Sequence, residues 1–179
     1  MQAAFSASIP HFKGDFKELF YQRTLICLWL AVVFFSIFAI LDFVCSREHF
    51  GLFFICRMVY VVAVVGFINI LSLPTCKKYA PHLIYAAMVL GGFAISLMSV
   101  HLGGFYSGYY VGILLMIAGT LSVLPLKIPQ VVFIGLSMYL IYVLTVLLGT
   151  GDTSEAHLGA MLNNSFFFLA LIGITAVQS

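Results

Sequence analysis

His49, His101 and His157 each fall where an apolar stretch meets a short polar connection, and Asp42 and Arg57 lie close to the same boundaries. Imidazoles titrate near neutral pH, bind metals when neutral, and are costly next to lipid. Three of them at one depth point to a haem or metal site in a helical bundle. Arg57 has two readings. Its guanidinium fork either pairs with Asp42 or holds an anionic group such as a haem propionate or a lipid headgroup. His101 precedes Gly103-Gly104, which can supply a left-handed helix cap. His157 follows Asp152-x-x-Glu155, a capping-box pattern with Asp152 as N-cap. His157, Met161 and Asn164 share a helix face. The sharpest ligand assignment is therefore His101 with His157 on facing helices, His49 being the next candidate. His82 is 19 residues from His101 on the same apolar stretch, roughly 28 Å away along a helix. It belongs to the opposite interface or to a second site there. His11 lies in the N-terminal tail.

The elements that position these residues follow from composition. The chain has 179 residues, 63% of them hydrophobic and 8% charged, too little charge for a soluble domain. In lipid every backbone polar group must be satisfied internally, and the apolar runs are too long for barrel strands. The expected fold is an all-α bundle of six transmembrane helices, at residues 24–44, 50–73, 81–100, 107–125, 129–149 and 155–177. Each has about the 20 residues that cross the hydrocarbon core. The short connections predict antiparallel sequential neighbours.

Lys13, Lys17, Arg23, Lys77, Lys78 and Lys127 all fall on one side of such a bundle, and Arg47 alone on the other. The positive-inside rule then predicts both termini in the cytoplasm and the three histidines outside. Residues 1–23 read as a cytoplasmic amphipathic segment, with Phe12, Phe16 and Phe20 at four-residue spacing. Residues 24–179 form the membrane domain. Cys27, Cys45, Cys56 and Cys76 lack metal-ligand spacing and read as small apolar packing, although Cys45 and Cys56 could pair in an oxidising compartment. The chain stops directly after an apolar helix without the basic residues expected there, so a soluble output domain is expected beyond Ser179.

Gly104, Gly108 and Gly112 recur every four residues, with Gly119 further on. This predicts a smooth strip on the fourth helix, used for helix packing or for close approach of a flat macrocycle or acyl chain. Ser107, Tyr109 and Tyr110 surround it, in the interfacial belt where tyrosines are common.

The stretch Gly103-Gly104-Phe105-Tyr106-Ser107-Gly108-Tyr109-Tyr110-Val111-Gly112-Ile113, with Leu124-Pro125 closing the span, resembles a signature of six-helix membrane anchors. Those anchors precede bacterial class III adenylate cyclases and sensor histidine kinases. Arg57 and the run Asn163-Asn164-Ser165-Phe166-Phe167-Phe168-Leu169 also fit. Most of residues 24–179 is covered, but the specific part is about twenty residues. One departure is Gly108, where proline often follows the serine. Some such anchors resemble haem-b proteins with histidines near helix ends. The resemblance thus implies haem b, with His101, His157, His49 and His82 as candidate iron ligands. Arg57, Gly104, Ser107, Gly108, Tyr109, Gly112 and Asn164 would line the cofactor.

It further implies a non-enzymatic module in the bacterial cytoplasmic membrane, homodimeric, joined to a cytoplasmic cyclase or kinase and without a nucleic-acid partner. A haem-free receptor for a lipid-like signal and a b-type electron-transfer protein are the alternatives. The second would need haems near both faces, where the inner side offers only His82 and His11. A transporter is disfavoured by the absence of matching broken helices or an internal repeat.

Overall fold

A computed structural model describes the backbone of residues 2–45 and 47–178 and the side chains of 16–44 and 47–178. The described residues form helices and turns without strands. Among the described residues there are six α-helices: α1 (Gln2–Cys45), α2 (Phe50–Leu71), α3 (Ala80–His101), α4 (Tyr110–Val123), α5 (Ile128–Thr150) and α6 (Glu155–Gln178). Five of them contain stretches long and apolar enough to cross a membrane, the first running over Phe16–Val44. The chain is a membrane-type helical bundle.

α1 runs unbroken through Arg23 into the first apolar stretch. One expected boundary changes, that of the fourth helix. The side chains of His11, Phe12 and Lys13, and that of Cys45, lie outside the described residues. The fourth helix has only 14 residues, roughly 21 Å at 1.5 Å per residue. Its expected first turn is instead irregular chain. Gly103 and Gly104 have φ of +92° and +64°, a left-handed conformation that a Cβ disfavours. They turn the chain out of α3 and into a short 3₁₀ turn over Gly104–Tyr106, so α4 starts late.

The helices alternate in direction. At one end, the basic end, Tyr21 donates to the Leu71 carbonyl at 3.2 Å, Arg23 to the Val123 carbonyl at 2.9 Å, and Lys77 meets Glu18 at 3.2 Å. The opposite end carries His49, His101 and His157 and is called here the histidine end.

α3 is the central helix, packing against α1, α2, α4 and α5. Its small residues explain this. A Cβ on Gly91 would come within 2.9 Å of the Tyr60 ring, and one on Gly92 would strike Met138. Ala87, Ala94, Ser96 and Ser99 are buried on the same helix. Ser96 and Ser99 donate to carbonyls one turn back, at 2.6 and 3.1 Å, so their hydroxyls need no other partner. α6 packs along α4 and α5. The third and sixth spans, expected to meet, are linked chiefly through α5 and the turn before α4. Cys27 is a buried free thiol, in keeping with a packing role, and Cys56 and Cys76 are also free.

Candidate functional site

The histidine end holds three groups of polar and aromatic side chains. The first joins α1, α2 and the segment before α4. Asp42 lies one turn from the end of α1, and Arg57 two turns into α2, so the hairpin through the 3₁₀ turn Arg47–His49 puts them at one depth. Arg57 donates from Nε to Asp42 Oδ2 at 2.5 Å and from Nη2 to Oδ1 at 3.0 Å. The Tyr109 hydroxyl donates to Oδ1 at 2.6 Å. The two charged side chains are 5% and 3% exposed, and the guanidinium carbon lies 5.6 and 5.7 Å from the Phe35 and Phe38 ring centres. Of the two readings of Arg57, the ion pair is what forms. Its fork is engaged by a carboxylate of the chain itself, a bidentate geometry that leaves neither charge uncompensated.

The second group is a pair of imidazoles. The rings of His49 and His101 are centred 6.1 Å apart with planes inclined by 61°. His49 also lies 5.9 Å from Phe53, which is 5.8 Å from Tyr109. His101 is exposed and His49 half-buried. His101 Nδ1 is 3.0 Å from the Leu97 carbonyl. A carbonyl only accepts, so this bond places the proton on Nδ1 and, in the neutral ring, leaves the Nε2 lone pair open. Among the described residues, no ring contact or hydrogen bond joins His101 to His157.

The third group is built around His157, which is 2% exposed. Its ring packs on Phe105 at 4.8 Å and Tyr106 at 5.7 Å. Nε2 lies 3.5 Å from the Thr150 hydroxyl, and Nδ1 3.7 Å from the Asp152 carboxylate. A Cβ on Gly104 would come within 2.6 Å of His157 Cε1. Glycine is thus required there by contact as well as by backbone conformation. One face of α6 also presents Asn164, which donates from Nδ2 to the Phe105 carbonyl at 2.8 Å and to the Tyr142 hydroxyl at 3.0 Å. Phe105 and Tyr142 meet edge to face at 5.5 Å. The irregular Gly103–Tyr109 segment is therefore a plug held by α5 and α6 through Phe105 and by α1 through Tyr109.

The α5–α6 turn differs from the expected capping box. Ser154, not Asp152, precedes α6, and its hydroxyl accepts from the His157 amide at 3.4 Å. Asp152 instead accepts from the Ser154 amide at 2.9 Å, forming an Asx turn. That amide hydrogen bond holds the exposed Asp152 carboxyl below the usual carboxylate range, with a smaller contribution from His157.

The glycine strip is not one helix face. Gly104 lies in the plug against His157, a Cβ on Gly108 would meet nothing within 4 Å, and one on Gly112 would touch Ile95 at 3.5 Å. Ser107 is buried, and its hydroxyl accepts from the Tyr109 amide at 3.2 Å. His82 is exposed near the start of α3, at the basic end. Phe105 and Tyr142 are the residues that spacing alone does not reveal. Tyr142 could have been found as a hydroxyl in mid-span, whereas Phe105 reads as an interfacial aromatic.

Among the described residues, no group of three or more His, Cys, Asp or Glu side chains is placed to hold a metal ion. Comparison with protein-family models, with curated proteins and with solved structures finds no match.

Proposed function

We propose that this bundle is the membrane anchor and sensor module of a signalling protein, binding haem b through His49 and His101 and controlling a C-terminal cytoplasmic adenylate cyclase or histidine kinase. The observation that carries this reading is the 6.1 Å pairing of two imidazoles from different elements. A metal with two bonds of about 2 Å to nitrogen needs comparable room. A haem asks the protein for only two ligating side chains, a role His49 and His101 would fill, and when bound would supply one-electron redox or small-gas chemistry.

The chain's own residues then have separate roles. The Leu97 carbonyl keeps the His101 proton on Nδ1 and presents Nε2. Arg57 and Asp42 hold α1 to α2 beneath the pair. Arg47, two residues before His49 and exposed, is the cation left for an anionic substituent. His101 is three residues from Gly104, and Phe105 accepts from Asn164 on α6. A shift of His101 is thereby passed through the plug to the helix that leads to the C-terminus. In this reading the basic end faces the bacterial cytoplasm and the module works as a homodimer.

The test is an absorption spectrum of the purified protein from haem-sufficient cells. A Soret band with sharp α and β bands after dithionite is expected, and His49→Ala and His101→Ala should each remove the low-spin signature while His157→Ala keeps it. A colourless wild type would overturn the reading in favour of a haem-free receptor.

A further inference from the structure

At the basic end, a crevice of about 190 Å³ opens between α1, the α4–α5 turn and the last residues of α6. Arg23, Ser122, Leu124 and Gln178 are in its lining, where no carboxylate is found among the described residues. Arg23 is half-buried there and donates one N–H to the Val123 carbonyl at 2.9 Å. That contact ties α1 to the C-terminal end of α4, whose carbonyls favour a cation. A guanidinium carries five N–H donors, and among the described residues Arg23 makes no other hydrogen bond or ion pair. Glu18, on the same helix, pairs with Lys77 at 3.2 Å. Lys127 adds a further exposed cation in the α4–α5 turn.

We infer that this crevice is a binding site for a phosphate group, carried either by an anionic phospholipid headgroup or by a free phosphate ion. The basis is unused guanidinium donors in a formed space. An arginine with donors to spare sits beside a hydroxyl and an amide at a bundle end rich in lysine, and among the described residues no acidic side chain lines the recess. Guanidinium is the side chain best matched to phosphate oxygens, and basic recesses between transmembrane helices are where phospholipid headgroups lodge. The site lies at the other end of the molecule from the histidine pair and does not depend on it.

Native mass spectrometry of the full chain in detergent tests this, with phosphatidylglycerol and phosphatidylcholine of identical acyl chains as probes. Wild type should retain phosphatidylglycerol preferentially. Arg23→Gln can still donate to the Val123 carbonyl, and should lower that preference roughly tenfold, as loss of a charge-assisted contact requires. Arg23→Lys should keep most of it. Ser122→Trp leaves every charge in place but fills the crevice, and should lower retention as Arg23→Gln does; it also serves if Arg23→Gln does not fold. Lys78→Gln removes a charge outside the crevice and should cost no more than about fivefold.

Equal losses for Lys78→Gln and Arg23→Gln would overturn the site in favour of a diffuse basic surface. So would an unchanged preference in both Arg23→Gln and Ser122→Trp, or a wild type that retains neither phosphatidylglycerol nor phosphate above phosphatidylcholine. Added inorganic phosphate separates the sources. A phosphate adduct that displaces phosphatidylglycerol identifies the free ion, whereas phosphatidylglycerol retained in its presence identifies the headgroup.

Discussion

His101 and His157 sit at the same end of the bundle yet differ in nearly every physical respect. His157 is 2% exposed and fixed between Phe105, Tyr106 and the α5–α6 turn. His101 is exposed, holds one carbonyl, and faces a second imidazole. The first is engaged by packing and the second is available for chemistry. Depth in a membrane therefore does not sort histidines into structural and functional ones. Lateral neighbours do, and those come from helix packing.

The sharpest test of what is engaged at this end is Arg57→Leu. It strands the Asp42 carboxylate in a buried position and should destabilise the bundle by about 3–5 kcal/mol, read by unfolding in detergent. The double variant Asp42→Leu with Arg57→Leu should recover much of that loss, because no uncompensated charge is left. If the double variant is as unstable as the sum of the single variants, the pair is not the unit described.

The two histidines should separate next. His157→Ala removes a buried ring and should cost about 2–4 kcal/mol, in the range of large-to-small core changes. His101→Ala should stay within about 0.5 kcal/mol of wild type when measured without added haem, as surface substitutions do. Similar losses for both would break the contrast between them.

Gly104→Ala sharpens the same contrast from the backbone side. A positive φ and the His157 ring together should cost about 1–3 kcal/mol, whereas Gly108→Ala, with open space around it, should cost far less. Thermal denaturation of the two variants in one detergent decides this.

The smallest effect is expected at Asp152. Its carboxyl titrates lower in the folded chain than in the unfolded one. The stabilisation is therefore present above the unfolded value near 4 and is lost as pH falls through the folded value. Asp152→Asn should flatten that part of the pH–stability curve slightly and leave stability at neutral pH close to wild type.

The contrast between the histidines also shows what the residues themselves make legible. Helical class, the ends of the helices other than α4 to within a few residues from α2 onward, and the shared depth of Asp42 and Arg57 follow from hydrophobic length and from a short hairpin. These are one-dimensional properties of a chain in lipid. Which helix lies beside which is not of that kind, because a helix apolar on every side carries no stripe that points to its neighbour. That is why the third and sixth spans could be expected to meet, when the small residues of α3 instead draw in α2, α4 and α5. The start of α4 was obscured for another reason. Four-residue glycine spacing suits a helix face, but Gly103 and Gly104 use their freedom to leave the helix. At the α5–α6 turn, Asp152 and Ser154 are both good caps, and only geometry distinguishes them.

The shortness of α4 has a consequence for the surrounding bilayer. A rod of 14 residues, roughly 21 Å long, is shorter than a hydrocarbon layer about 30 Å thick. Were such a rod set across that layer, lipids beside it would have to tilt, compress or bring their headgroups inward, each at a cost of fractions of a kcal/mol per ångström. Two bundles that set their α4 sides together would share one such deformation instead of maintaining two.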